Sequence, residues 1–167
     1  MIDAQKYPQK YRKMLEQAIT PRYCGEVFSM EECPVPLIGN DIIRHLSGCK
    51  SVLVCAGTLG AGFDRLLRKL QVADMAGAVI VDELGGEYIE EFCDENDAKV
   101  IKLIELQLQL PRQNRTGRFS PGYGDFPLSV NRDIVKVLNG TLKAGLCVSD
   151  DFILTPQKSI TGIVGIL

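Results

Sequence analysis

Arg118-Phe119-Ser120-Pro121-Gly122-Tyr123-Gly124-Asp125 decides how the chain is read. It puts a cation, a rigid turn and a phenol within six residues, between two segments with the periodicity of regular structure. Pro and Gly fix irregular backbone geometry, and such backbone commonly holds ligands. Arginine offers a planar fork of donors that suits a carboxylate or phosphate, and tyrosine a flat face with a hydroxyl. The same residues also describe a solvated strand end before a Pro-Gly turn. The rest of the chain has to separate the two readings.

On the C-terminal side, Ser129 is expected to cap a short helix through Ile134, Val135 and Leu138, closed by Asn139-Gly140. Leu146-Cys147-Val148 and Phe152-Ile153-Leu154 are short extended pieces around Ser149-Asp150-Asp151. Ile160 to Leu167 is apolar on both sides of its alternation, the pattern of a strand buried on both faces.

On the N-terminal side, Pro111 to Gly117 is polar, basic loop. Asp97 to Leu108 reads as one helix and Ala73 to Asp94 as another, with Ala76, Val79, Ile80, Leu84, Tyr88 and Phe92 in helical period. Glu83, Glu87, Glu90 and Glu91 give that helix an acidic side. Its Gly85-Gly86 pair costs ~1 kcal/mol per residue relative to alanine and so marks close packing or a ligand's approach. Ser51 to Ala56 is a compact apolar strand, followed by Gly57-Thr58-Leu59-Gly60-Ala61-Gly62 and an amphipathic helix from Phe63 to Leu70. Strand, glycine-rich loop and helix can present N–H groups to an anion. The order is GxxGxG rather than GxGxxG, and no GK[ST] follows, so close packing competes with a nucleotide site at Gly57–Gly62. Earlier still, a helix is expected from Ala4 to Ile19, a strand from Tyr23 to Phe28, and a short helix capped by Asn40.

Composition narrows the function classes. The 167 residues suffice for one domain with a sizeable core. A net charge of −2 lacks the basic footprint of a general nucleic-acid binder. No apolar run approaches the ~20 residues that cross a bilayer, and Met1 to Lys6 lacks a signal peptide's apolar core. A cytoplasmic protein with no membrane or nucleic-acid partner is expected. None of the six cysteines forms a CxxC pair, so free, mostly buried thiols and no metal site are expected. The single histidine, His45, leaves little for Ser/His or Cys/His catalysis.

Two blocks together carry a resemblance. Arg118-Phe119-Ser120-Pro121-Gly122-Tyr123 resembles the RxxPGY motif of the activation (reactivation) domain of cobalamin (vitamin B12)-dependent methionine synthase. Val148 to Gly162 resembles that family's segment around LTES…P…SVSG, and Asp82 to Gly86 its long helix. The match runs over residues 50–167 of a single 1–167 domain; residues 1–50 match poorly. With no DxHxxG motif or substrate barrel, the chain is similar to a free-standing short form. The resemblance implies an α+β fold: a single domain whose twisted mixed or antiparallel sheet is flanked by helices.

It also implies an accessory S-adenosylmethionine-binding protein that supports reductive methylation of cobalamin. Such a protein is a component or accessory domain of a methionine synthase or related corrinoid methyltransferase, within methionine biosynthesis, rather than a self-sufficient enzyme. The cobalamin is carried by the partner protein, and a flavodoxin-type donor supplies the electron. Carried over residue by residue, Arg118 would hold the methionyl carboxylate, and Ser120 and Gly122 would offer backbone to the adenosyl part. Tyr123 would lie by the sulfonium or the corrin, as the residue closest to the chemistry. Glu90 is the helix carboxylate, with Glu91 its neighbouring alternative, and Val164 and Gly165 would lend main chain to the adenine. The family's N-terminal aspartate, in a tryptophan-containing segment, has no counterpart here. Asp125 either supplies that carboxylate or caps the turn. The other open reading is a docking or capping subunit for a corrinoid protein that binds no S-adenosylmethionine.

Overall fold

The computed structural model describes residues 6–167. In chain order the elements are α1 (Gln9–Ala18), β1 (Arg22–Ser29), α2 (Asn40–His45), β2 (Ser51–Thr58), α3 (Ala61–Ala73), α4 (Met75–Gln107) and β3 (Arg115–Phe119). Then come α5 (Val130–Val137), α6 (Gly140–Ala144), β4 (Cys147–Val148), β5 (Leu154–Thr155) and β6 (Ser159–Ile166). The main sheet has the order β1-β2-β6-β3 and every pairing is antiparallel, so of the two expected arrangements the mixed one drops out. β4 and β5 pair separately.

Helices cover both faces of this sheet. Val52, Val54, Ala56 and Ile163 face a core completed by Ile42, Ile134 and Leu138 from α2, α5 and the residue after it. Leu53, Cys55 and Val164, on the opposite face, pack with Ile101 of α4. Burial on both faces explains why β2 and β6 are nearly continuous apolar runs, as expected of the C-terminal strand. A third cluster joins α1, α3 and the first half of α4 around Leu15, Phe63, Leu67, Val81 and Leu84.

α4 differs most from expectation. It is one helix of 33 residues, where two had been expected with a break near Asp94. Its buried side includes Gly77, Val81, Gly85, Ile89, Cys93, Asp97 and Ile101, spaced four apart. Four residues turn about 400°, so this stripe winds about 40° per step round the helix. The winding lets one helix pack first on α1 and α3 and then on the sheet. Ala76 and Val79 of the expected apolar stripe are exposed. Small residues occupy the true contact face because the neighbours come very close: a Cβ on Gly85 would lie 2.9 Å from Cζ of the buried Phe63.

The two glycines should therefore respond oppositely. Gly85→Ala is expected to destabilise by about 1–2 kcal/mol, overpacking outweighing helix propensity. Gly86→Ala, with only Lys158 Nζ within 4 Å of its Cβ, should stabilise by about 0.5–1 kcal/mol. Equilibrium urea unfolding measures both; equal signs would contradict the packing.

Other boundaries shift for local reasons. The first helix begins at Gln9 because Pro8 restrains the residue before it; the expected start at Ala4 lies outside the described residues. Neither Asn40 nor Ser129 caps with its side chain: Gly39 precedes α2, and Ser129 has helical backbone and no cap hydrogen bond.

The Gly57–Gly62 segment is a packing corner. Gly57 and Thr58 belong to β2, which leaves Leu59-Gly60 as the turn. Leu59 is fully buried; its N–H donates to Lys158 O at 2.9 Å and its carbonyl accepts from Thr20 N at 2.9 Å. Gly60 N donates to Thr58 Oγ1 at 3.0 Å. A Cβ on Gly62 would run into the Ala18 backbone. The Leu59 and Gly60 N–H groups are thus taken by the protein itself, which favours close packing over a nucleotide site at this segment.

Candidate functional site

The loop after β3 is held from three directions. Gly122 N donates to Phe126 O at 2.8 Å, and Phe126 N to Tyr123 O at 3.0 Å. Phe126, 1% exposed, anchors the loop in the core beside Phe119. Gly122 and Gly124 take φ of +96° and +53°, the left-handed region that glycine occupies without strain. These contacts leave Tyr123 67% exposed at the tip.

The third hold is Asp125. Its carboxylate accepts from Asn40 N at 2.6 Å and Asp41 N at 2.9 Å. It thus caps α2, 84 and 85 residues away in sequence, and Asp125 N returns a bond to Asp41 Oδ2 at 3.3 Å. Of the two readings of Asp125, capping stands, but for a remote helix rather than its own turn. The Asp41 and Asn40 N–H groups hold the Asp125 carboxyl below its ordinary 3.8. A depressed folded-state pKa stabilises above 3.8, and that contribution is lost as pH falls through the lower folded value. Asp125→Asn should therefore cost most stability near neutral pH, with the gap to the wild type closing in acid. Melting curves from pH 7 to pH 2.5 test this, and a gap independent of pH would contradict the cap. His45, the lone histidine, ties α2 to β3 through Nε2 and Gly117 O at 2.8 Å and stacks near Phe119.

Arg118 is not a solvated strand end. Its side chain is only 6% exposed. A Cβ on Gly162 would lie 2.7 Å from Arg118 Cδ, so the bare glycine in β6 lets the arginine stem cross the strand to α4. There Nη1 donates to Asp97 Oδ2 at 2.7 Å, while Nη2 donates to Asp94 Oδ1 at 2.7 Å and Glu90 Oε2 at 2.9 Å. Asp97 is itself 1% exposed and accepts from the Tyr23 hydroxyl at 2.6 Å. Burial raises the Asp97 carboxyl, and the Tyr23 hydroxyl and Arg118 oppose that rise. Burial and neighbouring groups, Asp97 among them, drive the Tyr23 phenol well up. Burial pushes the Cys93 thiol up to about 12 and the Cys55 thiol well above 9.0. These thiols are therefore unreactive core residues. All six cysteines are free, Cys147 alone of them exposed. Among the described residues no group of three His, Cys, Asp or Glu is placed to hold a metal.

Between the loop, the start of β6 and α4 lies a groove of about 250 Å³. Ser120, Tyr123 and Glu90 line it, as expected of site residues, together with Ile160, Asn131 and Thr161. The last two were missed in the sequence. Thr161 donates to Asn131 Oδ1 at 2.6 Å, and Asn131 Nδ2 to Phe152 O at 2.9 Å, a buried polar pair at the groove. A threonine inside an otherwise apolar strand was the available signal. Arg118 lies behind the groove, not on its lining, and Gly122 adjoins it. Val164 and Gly165 are further along β6: Val164 pairs with Arg118 and is 1% exposed, and Gly165 N donates to Thr116 Oγ1 at 2.9 Å. The structure does not bring these two to the groove. Larger cavities of about 730 and 590 Å³ lie at the C-terminal end of α4 and include none of the expected residues.

No helix among the described residues is long and apolar enough to cross a membrane. No protein-family model matches the chain, and no curated protein does. Among solved structures it is similar to the MetH reactivation domain bound to AdoHcy, at 18% identity and a TM-score of 0.68. The similarity covers 98% of this chain, including the poorly matched first fifty residues, and 65% of the other, so the chain spans about two thirds of that structure's length. At this identity the likeness concerns architecture: the chain has the fold of the MetH reactivation domain.

Proposed function

We propose that this protein binds S-adenosylmethionine in the groove beside Tyr123 and presents its methyl group to cobalamin carried by a partner methionine synthase or related corrinoid protein. The observation that carries the reading is the convergence of Ser120, Tyr123 and Glu90 on one groove, in a fold whose solved neighbour is bound to AdoHcy. Tyr123's exposed ring can lie against a sulfonium, whose positive charge favours an aromatic face. Glu90 adds a carboxylate for the ligand's cationic end. Ser120 with Gly122, and Ile160 with Thr161 in place of Val164 and Gly165, can offer backbone to the adenosyl part.

The groove's about 250 Å³ falls below the ~300–1,000 Å³ of common ligand sites. This fits a ligand held on one side and covered by the partner on the other. The chain's own contribution is then positioning, since the corrin and the sulfonium supply the reactive atoms. An electron donor of flavodoxin type belongs to the same proposal, in which cobalamin is reduced before it accepts the methyl group.

One observation favours a second reading, a docking subunit with no methyl donor: the Arg118 guanidinium already holds three carboxylates. Isothermal calorimetry with S-adenosylmethionine separates the two. The first reading predicts saturable one-to-one binding. No heat at millimolar ligand, with retained capture of the cobalamin protein, would select the second.

A further inference from the structure

At the C-terminal end of α4 the chain arches away from the core. It leaves the helix through Leu108 and Gln109, whose φ of +52° turns it, and returns to the sheet at Arg115. Glu105 holds the arch from inside: its carboxylate accepts from Gln113 N at 2.6 Å and its main-chain carbonyl from Leu110 N at 2.8 Å. Leu167 N donates to Asn114 O at 3.0 Å and ties the arch to the end of β6. The two larger cavities lie under this arch and share Ile101, Glu105 and Gln113 as a common wall.

Their linings are chemically opposite. The cavity of about 730 Å³ is lined by Lys102, Arg112 and Arg115, with Glu105 its one carboxylate. Among the described residues none of these three cations forms an ion pair, and the Glu105 carboxylate is committed to the arch. The cavity of about 590 Å³ is mainly apolar, with Val27, Ile104, Leu108, Leu110 and Ile166 on its wall and Lys50 its only cation. Leu108 and Leu110 remain exposed there. Both volumes fall within the ~300–1,000 Å³ of small-ligand sites, and their concavity favours a small molecule over a flat protein contact.

We propose that this end of α4 binds a single-chain amphiphilic anion, a carboxylate whose hydrocarbon chain lies in the apolar cavity and whose head group meets Arg112, Arg115 and Lys102. Arginine forks match a carboxylate with paired, charge-assisted hydrogen bonds, and the unpaired cations lose no protein partner in making them. The chain supplies most of the affinity, at about fourfold per fully buried methylene. The site does not rest on the S-adenosylmethionine reading: Glu105 follows Glu90 by 15 residues, about 22 Å along the helix, and the groove shares none of its lining with these cavities.

The test is calorimetry of the full chain with decanoate, the shorter hexanoate and the neutral decanol. The proposal expects saturable one-to-one binding of decanoate, more than tenfold weaker binding of hexanoate and about tenfold weaker binding of decanol. Removing the head-group contacts with the double substitution Arg112→Ala and Arg115→Ala should weaken decanoate about tenfold, two exposed pairs at up to about fivefold each, and leave decanol unchanged. Leu108→Glu should weaken both. All three positions are exposed, and melting curves check that the variants are folded. Equal affinity for decanoate and decanol, several molecules bound per chain, indifference to the double substitution, or no saturable binding at millimolar decanoate would each overturn the proposal.

Discussion

Replacing Arg118 with alanine is expected to lower the unfolding free energy by about 3–5 kcal/mol, the range for removing one partner of a buried ion pair. The cause is Asp97. At 1% exposure its carboxylate would keep the Tyr23 hydroxyl and the weak Cys55 thiol donor but no cation, and would have to bind a proton or admit water. Removing Asp94 instead takes one exposed partner from an arginine that keeps Asp97 and Glu90, and should cost about 1 kcal/mol. Lysine at position 118 retains charge but loses the fork that reaches Asp97 with one nitrogen and the outer carboxylates with the other. It should recover only part of the loss. Equilibrium urea unfolding of the three variants checks the order. An Arg118→Ala protein as stable as Asp94→Ala would mean that the cluster is not buried as described. Because this variant is destabilised, it is a poor probe of ligand binding, and the groove residues are better ones.

The second large effect concerns the loop. Phe126→Ala should cost about 3–5 kcal/mol, the usual range for truncating a buried phenylalanine, given its 1% exposure and its place among Phe119, Ile134 and Leu138. It should also release the turn, since Gly122 and Tyr123 are bonded to the Phe126 backbone. Amide hydrogen exchange would then rise at residues 120–125 more than in β2 or β6, because local opening is read out where anchoring is lost. Phe126→Leu keeps most of the apolar volume and should fall between the two. Full protection of the loop in Phe126→Ala would show that Asp125 and α2 alone hold it.

The strands were legible because burial on both faces leaves a simple trace: Ser51 to Ala56 and Ile160 to Leu167 are apolar without alternation, and they became β2 and the interior strand β6. The long helix was legible only in part. Its polar stretch from Asp94 to Asp97 read as a boundary, although Glu90, Asp94 and Asp97 are spaced i, i+4 and i+7 and share one helix face. That spacing, facing an arginine, was the available signal for the buried cluster. Its other half was invisible: nothing local says that Gly162 makes room for the Arg118 stem, because the contact is 44 residues distant in sequence. The same limit hid Asp125 as the cap of α2. Hydrophobicity found only part of the inward side of α4: Leu84 is buried and Ile80, Tyr88 and Phe92 pack on the core, whereas Ala76 and Val79 are exposed and the glycines and Cys93 mark close contact without being strongly apolar. Ser120, Tyr123 and Glu90 were legible as neighbours through resemblance, and the Asn131–Thr161 pair was not.

The most direct test of the central reading is an amide NMR titration of the full chain with S-adenosylmethionine. The reading predicts saturable shifts confined to residues 120–123 of the loop, Glu90 and its helical neighbours, and residues 159–161 of β6. Shifts gathered instead at the cavity by Lys102, Arg112 and Arg115, or no shifts at millimolar ligand, would contradict it.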